Sequence, residues 1–137
     1  MNASTSYSLD TSFLLYHRYR GDEKTEAILK QGVVNLVTSS ELLYVLCRKE
    51  GVEKSLSYLK QVHSKAKLAP SEPVAPVAGQ FKCKYPIALA DCWVLATGKV
   101  SGIPALFAFP EKEIQARSEL IGREVQIEFL EEVIGKI

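Results

Sequence analysis

Acidic residues follow the apolar segments of this chain where strands of a sheet are expected to end. Asp10 comes directly after a short apolar segment, Glu41 follows a β-branched run within one short turn, and Glu111 follows the apolar residues 105–109 after one proline. Ligand sites of open α/β sheets lie beyond the carboxyl ends of the strands, so these acids are expected at one edge. Like charges so close repel and raise each other's pKa unless a cation lies among them. Oxygen ligands suit Mg²⁺ or Mn²⁺, so the sequence predicts a site for one of these ions.

Asp91 lies within the longest apolar stretch of the chain, Ile87–Ala96. A helix there is apolar on nearly every face, which predicts that it is buried and that the carboxylate has little water around it. An unpaired buried charge is costly, so such a group pairs, binds a metal or takes up a proton. No Lys or Arg lies one helical turn away, and metal coordination is therefore a natural hypothesis for Asp91.

Each acid also has a purely structural explanation. Asp10 could cap a helix, Glu41 could close a capping box with the threonine three positions before it, and Asp91 could bond a buried hydroxyl or amide. Glu111 and Glu113 stand in the first turn of a predicted helix, where acids favour the positive end of the dipole, and for these two the structural role is the favoured one. The joint pattern favours a metal site, because separate accidents would have to meet at one edge.

The elements that must position these acids alternate between strands and helices. This alternation predicts an α/β fold of three layers, in which a mostly parallel sheet is flanked by helices, and a single domain over residues 1–137. Strands are predicted at 7–9, 33–37, 68–69, 105–109 and 125–129, the last at an edge because one of its faces is polar. Helices are predicted from 13, at 22–30, from 38 to 50, and at 52–66, 86–99 and 111–120. The proline-rich residues 70–76 are predicted to form a loop, followed by a short helix towards Phe81.

Composition excludes several classes of protein. The 137 residues are 47% hydrophobic and 24% charged, enough for one core, and a net charge of +1 gives no global field for nucleic acid or membranes. Three cysteines argue against a secreted disulfide scaffold. The first residues do not resemble a signal peptide, and no apolar stretch is long enough to cross a membrane. We expect a soluble, cytoplasmic protein.

Other chemistries find less support. Zinc ligand spacing is absent among the cysteines and histidines, which are Cys47, Cys83, Cys92, His17 and His63. The glycine patterns of a P-loop or a dinucleotide site are also missing. A phosphoryl-accepting Asp10 is a rival enzyme hypothesis, although Ser12 stands where a dehalogenase-like site has a second aspartate and no acids precede Asp10 as in receiver domains.

Three motifs together resemble those of PIN domains. Residues Ser8–Leu14 resemble the opening motif of that family, Thr38–Leu43 its second acidic motif, and Ala88–Thr97 its third and most specific one. Residues Gly102–Leu106 resemble the strand that leads to a fourth motif. The likeness covers nearly the whole chain in the expected order and spacing.

This resemblance implies a metal-dependent ribonuclease. Asp10, Glu41 and Asp91 would be its catalytic residues and the ligands of Mg²⁺ or Mn²⁺, and Thr11 and Ser12 would orient Asp10 or a metal-bound water. The fold is shared by VapC-type toxins of toxin–antitoxin pairs and by RNA-processing nucleases. The implied partners are RNA, an antitoxin protein and a second copy of the chain in a homodimer.

The fourth acidic position departs from the family pattern, because Phe109 stands where an acid is often found. Glu111 or Glu113 would have to substitute, and Glu111 is favoured as a metal ligand because it is nearer. A catalytically degenerate PIN-like module that binds RNA or protein is therefore the alternative.

A single RNA strand fits such an edge better than a duplex, with cations for its phosphates and aromatic rings for its bases. Two clusters offer both kinds of side chain, one around Arg18 and Arg20 and one around Lys82 and Lys84. These four residues are candidates for RNA binding, although exposed basic residues commonly serve only to solvate a surface.

Overall fold

A parallel sheet of five short strands forms the centre of the computed structural model, which describes residues 5–135. The first four residues, part of the segment in which no signal peptide is expected, lie outside the described residues. The strands lie in the order β3-β2-β1-β4-β5, and every neighbouring pair is parallel. They are β1 Ser8–Leu9, β2 Val33–Val34, β3 Lys67–Leu68, β4 Ala105–Phe107 and β5 Ile127–Phe129. The order changes direction between β1 and β4, and this is the place where open α/β sheets bind ligands.

Helices connect the strands and cover both faces of the sheet. The helices within the described residues are α1 Thr11–Arg20, α2 Glu23–Lys30, α3 Leu36–Glu50, α4 Val52–Lys65, α5 Ser71–Lys84, α6 Leu89–Ser101, α7 Lys112–Gln115, α8 Ser118–Gly122 and α9 Leu130–Gly135. Neighbouring strand residues alternate between the two apolar layers: Leu106 packs in one layer, whereas Ala105 and Phe107 pack in the other. The predicted three-layer α/β fold is confirmed.

The chain between β2 and α3 differs from the sequence prediction. Val33 and Val34 form a buried strand as predicted, but Leu36 and Val37 belong to α3. The helix begins early because the Asn35 side chain caps it, accepting a hydrogen bond from the Thr38 N–H at 2.8 Å. Glu41 therefore lies beyond the first turn of α3, and the capping box that would have explained it is wrong.

The proline-rich segment is a helix rather than the predicted loop. Pro73 lies in the first turn of α5, where the missing N–H costs little. Pro76 lies inside the helix, so its cost must be offset by packing. Val74, Ala78 and Phe81 recur at helical spacing and are fully or nearly fully buried, and α5 packs along α6.

Three smaller differences concern helix boundaries near the sheet edge. Helix α6 begins at Leu89 rather than at the preceding proline. Residues 111–120 form two short helices, α7 and α8, instead of one. An additional helix, α9, follows β5 directly and was not predicted. The edge position of β5 is confirmed, and no helix among residues 5–135 is long and apolar enough to span a membrane.

Candidate metal centre

Three acids from distant parts of the chain meet beyond the carboxyl ends of β1 and β4. Asp10 follows β1, Asp91 lies in the first turn of α6, and Glu111 stands between β4 and α7. One carboxylate oxygen of each lies within 4.8 Å of one from each of the others. Asp10 and Asp91 are buried, whereas Glu111 is partly exposed. We call these three residues the acid cluster.

Short hydrogen bonds between the elements hold the acid cluster in place. The Asp10 N–H donates to the Leu106 carbonyl at 3.0 Å, which joins the end of β1 to β4. The Ser12 hydroxyl accepts the Ala108 N–H at 2.9 Å and fixes the chain before Glu111 against α1. The site is therefore built on the rigid centre of the sheet.

Helix α6 is fixed to β1 from the face of the sheet opposite α1. The buried Ser8 hydroxyl donates to the Val94 carbonyl at 2.7 Å, one turn after Asp91. This bond sets the position of α6 along β1, and with it the position of the Asp91 carboxylate.

Asp10 also caps α1. Its Oδ2 atom accepts the Ser12 N–H at 2.9 Å, so the structural role that the sequence suggested is real and coexists with membership of the acid cluster. Burial nevertheless raises the pKa of Asp10 to about 6, because it outweighs the hydrogen bonds from Ser12, and the charges of Glu111 and Glu41 act in the same direction.

Asp91 is affected even more strongly. Burial raises the pKa of this carboxyl, and the neighbouring charges of Asp10 and Glu111 raise it further. The neighbouring Glu111 carboxyl does not relieve this burial of charge, because it raises the pKa of Asp91 rather than lowering it.

No Lys, Arg or His forms an ion pair with the acid cluster in the part of the chain that the structure describes. The cluster is therefore a concentration of carboxyl groups whose ionisation no Lys, Arg or His among residues 5–135 offsets. A divalent ion would remove the repulsion, and an all-carboxylate donor set fits Mg²⁺ or Mn²⁺ and disfavours soft metals. The residues present fit the predicted ion.

Glu41 lines the same cleft but lies outside the acid cluster. Its Oε1 atom accepts a hydrogen bond from the Thr11 hydroxyl. Thr11 thus orients Glu41, while Ser12 orients Asp10 through its backbone N–H. The cleft has a volume of about 350 Å³ and is lined by Asp10, Thr11, Ser12, Leu15, Glu41, Val45, Ala88, Asp91 and Glu111.

The basic residues singled out in the sequence lie in different environments. Arg18 pairs with Glu50 at 2.6 Å, and Lys84 pairs with Glu124 at 2.9 Å. Lys82 donates to the Ile87 carbonyl at 2.7 Å. Arg20 is exposed, and neither Arg20 nor Lys82 forms an ion pair with any described residue, so the charges of these two are left open to a ligand.

Residues 7–116 of the chain match the PIN domain family, in agreement with the order of the acidic motifs and the parallel sheet. The chain is a PIN domain. This PIN domain departs from the family pattern at the fourth acidic position, which Phe109 occupies. Phe109 is 56% exposed and takes no part in the acid cluster. Glu111, two residues later, does reach the cluster, and Glu113 does not.

Solved structures with the same fold include VapBC complexes. This PIN domain is similar to DNA-bound VapBC from Salmonella typhimurium, with a TM-score of 0.71 and 16% identity over 91% of this chain and 97% of that one. It is similar to VapBC2 from Rickettsia felis bound to a promoter DNA fragment, with a TM-score of 0.70 and 14% identity over 91% and 98%. FitAcB from Neisseria gonorrhoeae gives a TM-score of 0.54 and 18% identity over 87% and 94%. A comparison with curated protein sequences finds no significant match.

Proposed function

We propose that this PIN domain is a metal-dependent ribonuclease that hydrolyses phosphodiester bonds of single-stranded RNA. The observation that carries the proposal is the meeting of Asp10, Asp91 and Glu111 in one cleft, which no Lys, Arg or His among residues 5–135 lines. Membership of the PIN family supports the same reaction class. The rival hypothesis of a phosphoryl-accepting Asp10 finds less support, because that carboxylate is buried and bonded to the start of α1.

Asp10, Asp91 and Glu111 would hold the Mg²⁺ or Mn²⁺ ion, and Glu41 adds a further carboxylate on the wall of the cleft. The bound ion supplies Lewis acidity, which lowers the pKa of water and offsets the negative charge that develops on the phosphate. Ser12 holds Asp10 and Thr11 holds Glu41, so neither carboxylate must be reoriented when the ion binds. A protein nucleophile is not required for this hydrolysis.

A toxin of a toxin–antitoxin pair is the biological role that we propose for this nuclease. The fold is similar to those of the VapBC complexes, and this likeness is the support for an antitoxin partner, a cytoplasmic location and a homodimer. Expression of the chain should arrest growth, and co-expression of the product of the neighbouring reading frame should restore it. Unimpaired growth at high expression would speak against a toxin but not against a nuclease.

The nuclease is tested by metal binding and RNA cleavage measured in parallel. Calorimetric titration with Mn²⁺ should show binding to the wild-type protein, and a labelled single-stranded RNA should be cleaved only when the ion is present. Asp91→Asn should lose both while the fold is retained. Asp22→Asn is the matched control, because Asp22 caps α2 away from the cleft and Asn is an equally good cap.

The alternative, a degenerate PIN-like module, predicts a different result in the same experiment. The exposed Phe109 at the family's fourth acidic position is the observation that favours it. Such a module would show no heat with millimolar Mn²⁺ and would bind RNA or protein without cleavage. Cleavage by Asp91→Asn at the rate of the wild-type protein would overturn the assignment of the site.

A further inference from the structure

A second groove adjoins the acid cleft and is lined largely by aromatic side chains. Its volume is about 370 Å³, which is within the range of small-ligand clefts that begins at roughly 300 Å³. The groove shares Ser12 and Leu15 with the acid cleft, so the two lie side by side. We call it the aromatic groove, and it is lined by Ser12, Leu15, Tyr16, Tyr19, Arg20 and Phe109.

Phe109 presents a large apolar surface in the aromatic groove. Its ring is 56% exposed and packs edge-on against Tyr16, with the ring centroids 6.3 Å apart. The adjacent Ala108 N–H is bonded to the Ser12 hydroxyl, so the backbone that carries the ring is fixed. A rigid, exposed phenyl ring beside a catalytic cleft is poor for solubility and useful for binding.

The far wall of the aromatic groove combines a ring with a cation. Tyr19 is 51% exposed, and its hydroxyl donates to Glu50 at 2.6 Å, which restricts the motion of the ring. Arg20 follows it and is free of ion pairs among the described residues. An unpaired guanidinium next to aromatic faces suits a nucleotide, whose phosphate takes the cation and whose base takes the ring.

We propose that the aromatic groove is a base-stacking subsite for the RNA strand, in which Phe109 stacks a base next to the scissile phosphate and Arg20 contacts a phosphate further along. The inference rests on the proposed nuclease function and adds the position of the substrate to it. The position of the groove next to the acid cleft and the open cation favour RNA over a peptide as the occupant. Phe109 is thereby a specificity-determining residue at the position where the family often has an acid.

The test measures RNA binding with the metal removed by EDTA, so that binding is separated from cleavage. The probes are a fluorescently labelled oligouridylate and its abasic ribose-phosphate counterpart, at low ionic strength. Phe109→Ala should weaken binding of the oligouridylate at least about 5-fold, the lower end of measured base–aromatic stacking. It should leave the abasic probe unchanged, and Phe109→Trp should restore the difference between the probes.

Arg20→Ala should weaken binding of both probes and reduce the slope of affinity against salt by about one charge. Tyr44→Ala is the control for loss of an exposed aromatic ring, since Tyr44 is 59% exposed and lines neither the cleft nor the groove. Arg123→Ala is the control for loss of an exposed cation. Thermal unfolding of each variant checks that the fold is retained.

Equal binding of the oligouridylate by the wild-type protein and Phe109→Ala overturns the proposal and leaves the groove to a peptide. Equal weakening of both probes also overturns it, because stacking acts on bases alone. Absence of Mn²⁺ binding by the wild-type protein would instead defeat the nuclease function, so the two failures are distinguishable. Unchanged Mn²⁺ affinity in Phe109→Ala with weaker oligouridylate binding supports the subsite.

Discussion

Glu124 and the acid cluster of this PIN domain lie in opposite electrostatic environments. Glu124 accepts hydrogen bonds from Lys84, Lys99 and Tyr85, and these contacts lower its pKa to about 2. The acid cluster has no ion-pair partner among residues 5–135, and the pKa values of Asp10 and Asp91 are raised. Glu124 joins α5 and α6 to the segment between α8 and β5 and stabilises the fold. The carboxyl groups of the acid cluster, in contrast, repel one another and are held together by the fold around them.

The largest effect is expected from a pair of neighbouring glutamates. Glu111→Gln should reduce metal-dependent RNA cleavage roughly 100-fold or more, because it removes one of the acid-cluster carboxylates and a metal ion supplies several kcal/mol to catalysis. Glu113→Gln should stay within about 2-fold of the wild-type rate, since Glu113 lies outside the cluster. Initial rates at saturating Mn²⁺ measure both, and equal rates for the two variants would remove Glu111 from the site.

The stability of the metal-free protein should fall as the pH rises. The folded state raises the pKa of Asp10 to about 6, so it favours the protonated form. Stability is then full below the ordinary pKa near 4 and is lost as the pH passes through about 6. The shift corresponds to about 3 kcal/mol, measurable by urea unfolding in EDTA at pH 4 and 7.

Two controls sharpen this pH experiment. Mn²⁺ should restore the lost stability at pH 7, because an ion that binds only the folded state stabilises it. Asp10→Asn should reduce the pH dependence in EDTA, and the raised pKa of Asp91 should account for the part that remains. If the free energy of unfolding of Asp10→Asn varied with pH as that of the wild-type protein does, groups other than Asp10 would cause the loss of stability.

Glu124→Gln should have the opposite signature. Loss of the charge that Lys84 and Lys99 share should lower the free energy of unfolding by about 1–2 kcal/mol at pH 7, with Mn²⁺ affinity and cleavage unchanged. Because the pKa of Glu124 is lowered, its contribution is present above pH 4.5 and is lost as the pH falls towards 2. An altered cleavage rate in this variant would mean that Glu124 and the acid cluster are coupled.

The smallest effect is expected where a single hydrogen bond orients the Glu41 carboxylate on the wall of the cleft. Thr11→Val removes the donor to Glu41 and should weaken Mn²⁺ binding about 5-fold, the equivalent of one hydrogen bond of about 1 kcal/mol. Calorimetry measures the change. If Thr11→Val lowers the Mn²⁺ affinity as much as Glu111→Gln does in the same calorimetric measurement, Glu41 belongs among the direct ligands.

Much of the fold followed from the sequence because strand and helix periodicities alternate so regularly. To predict that Asp10 and Asp91 lie close together, it was enough to infer a parallel sheet and a buried helix. The errors arose where tertiary contacts outweigh local preference. Apolar packing against α6 outweighs the prolines of α5, and the Asn35 side chain begins α3 two residues before the polar run that seemed to start it.

The details of the site depended on side-chain directions that spacing does not encode. Glu111 was favoured over Glu113 by its shorter distance from β4, and the structure brings Glu111 into the cluster. Glu41 lines the cleft but lies outside the acid cluster, a difference that the spacing of the acids does not show. The hydrogen bond between Ser12 and Ala108 and the exposure of the adjacent Phe109 are likewise not shown by any sequence pattern.

The cap that Asp10 places on α1 has a consequence for mutational scanning of this gene. Removing its carboxyl oxygens with alanine damages helix initiation and ion affinity together, so a low fitness score at this codon would have two inseparable origins. Asparagine keeps an oxygen for the Ser12 N–H but gives up the charge. Comparing the scores of these two alleles would divide the intolerance of the position into its folding and its chemical parts.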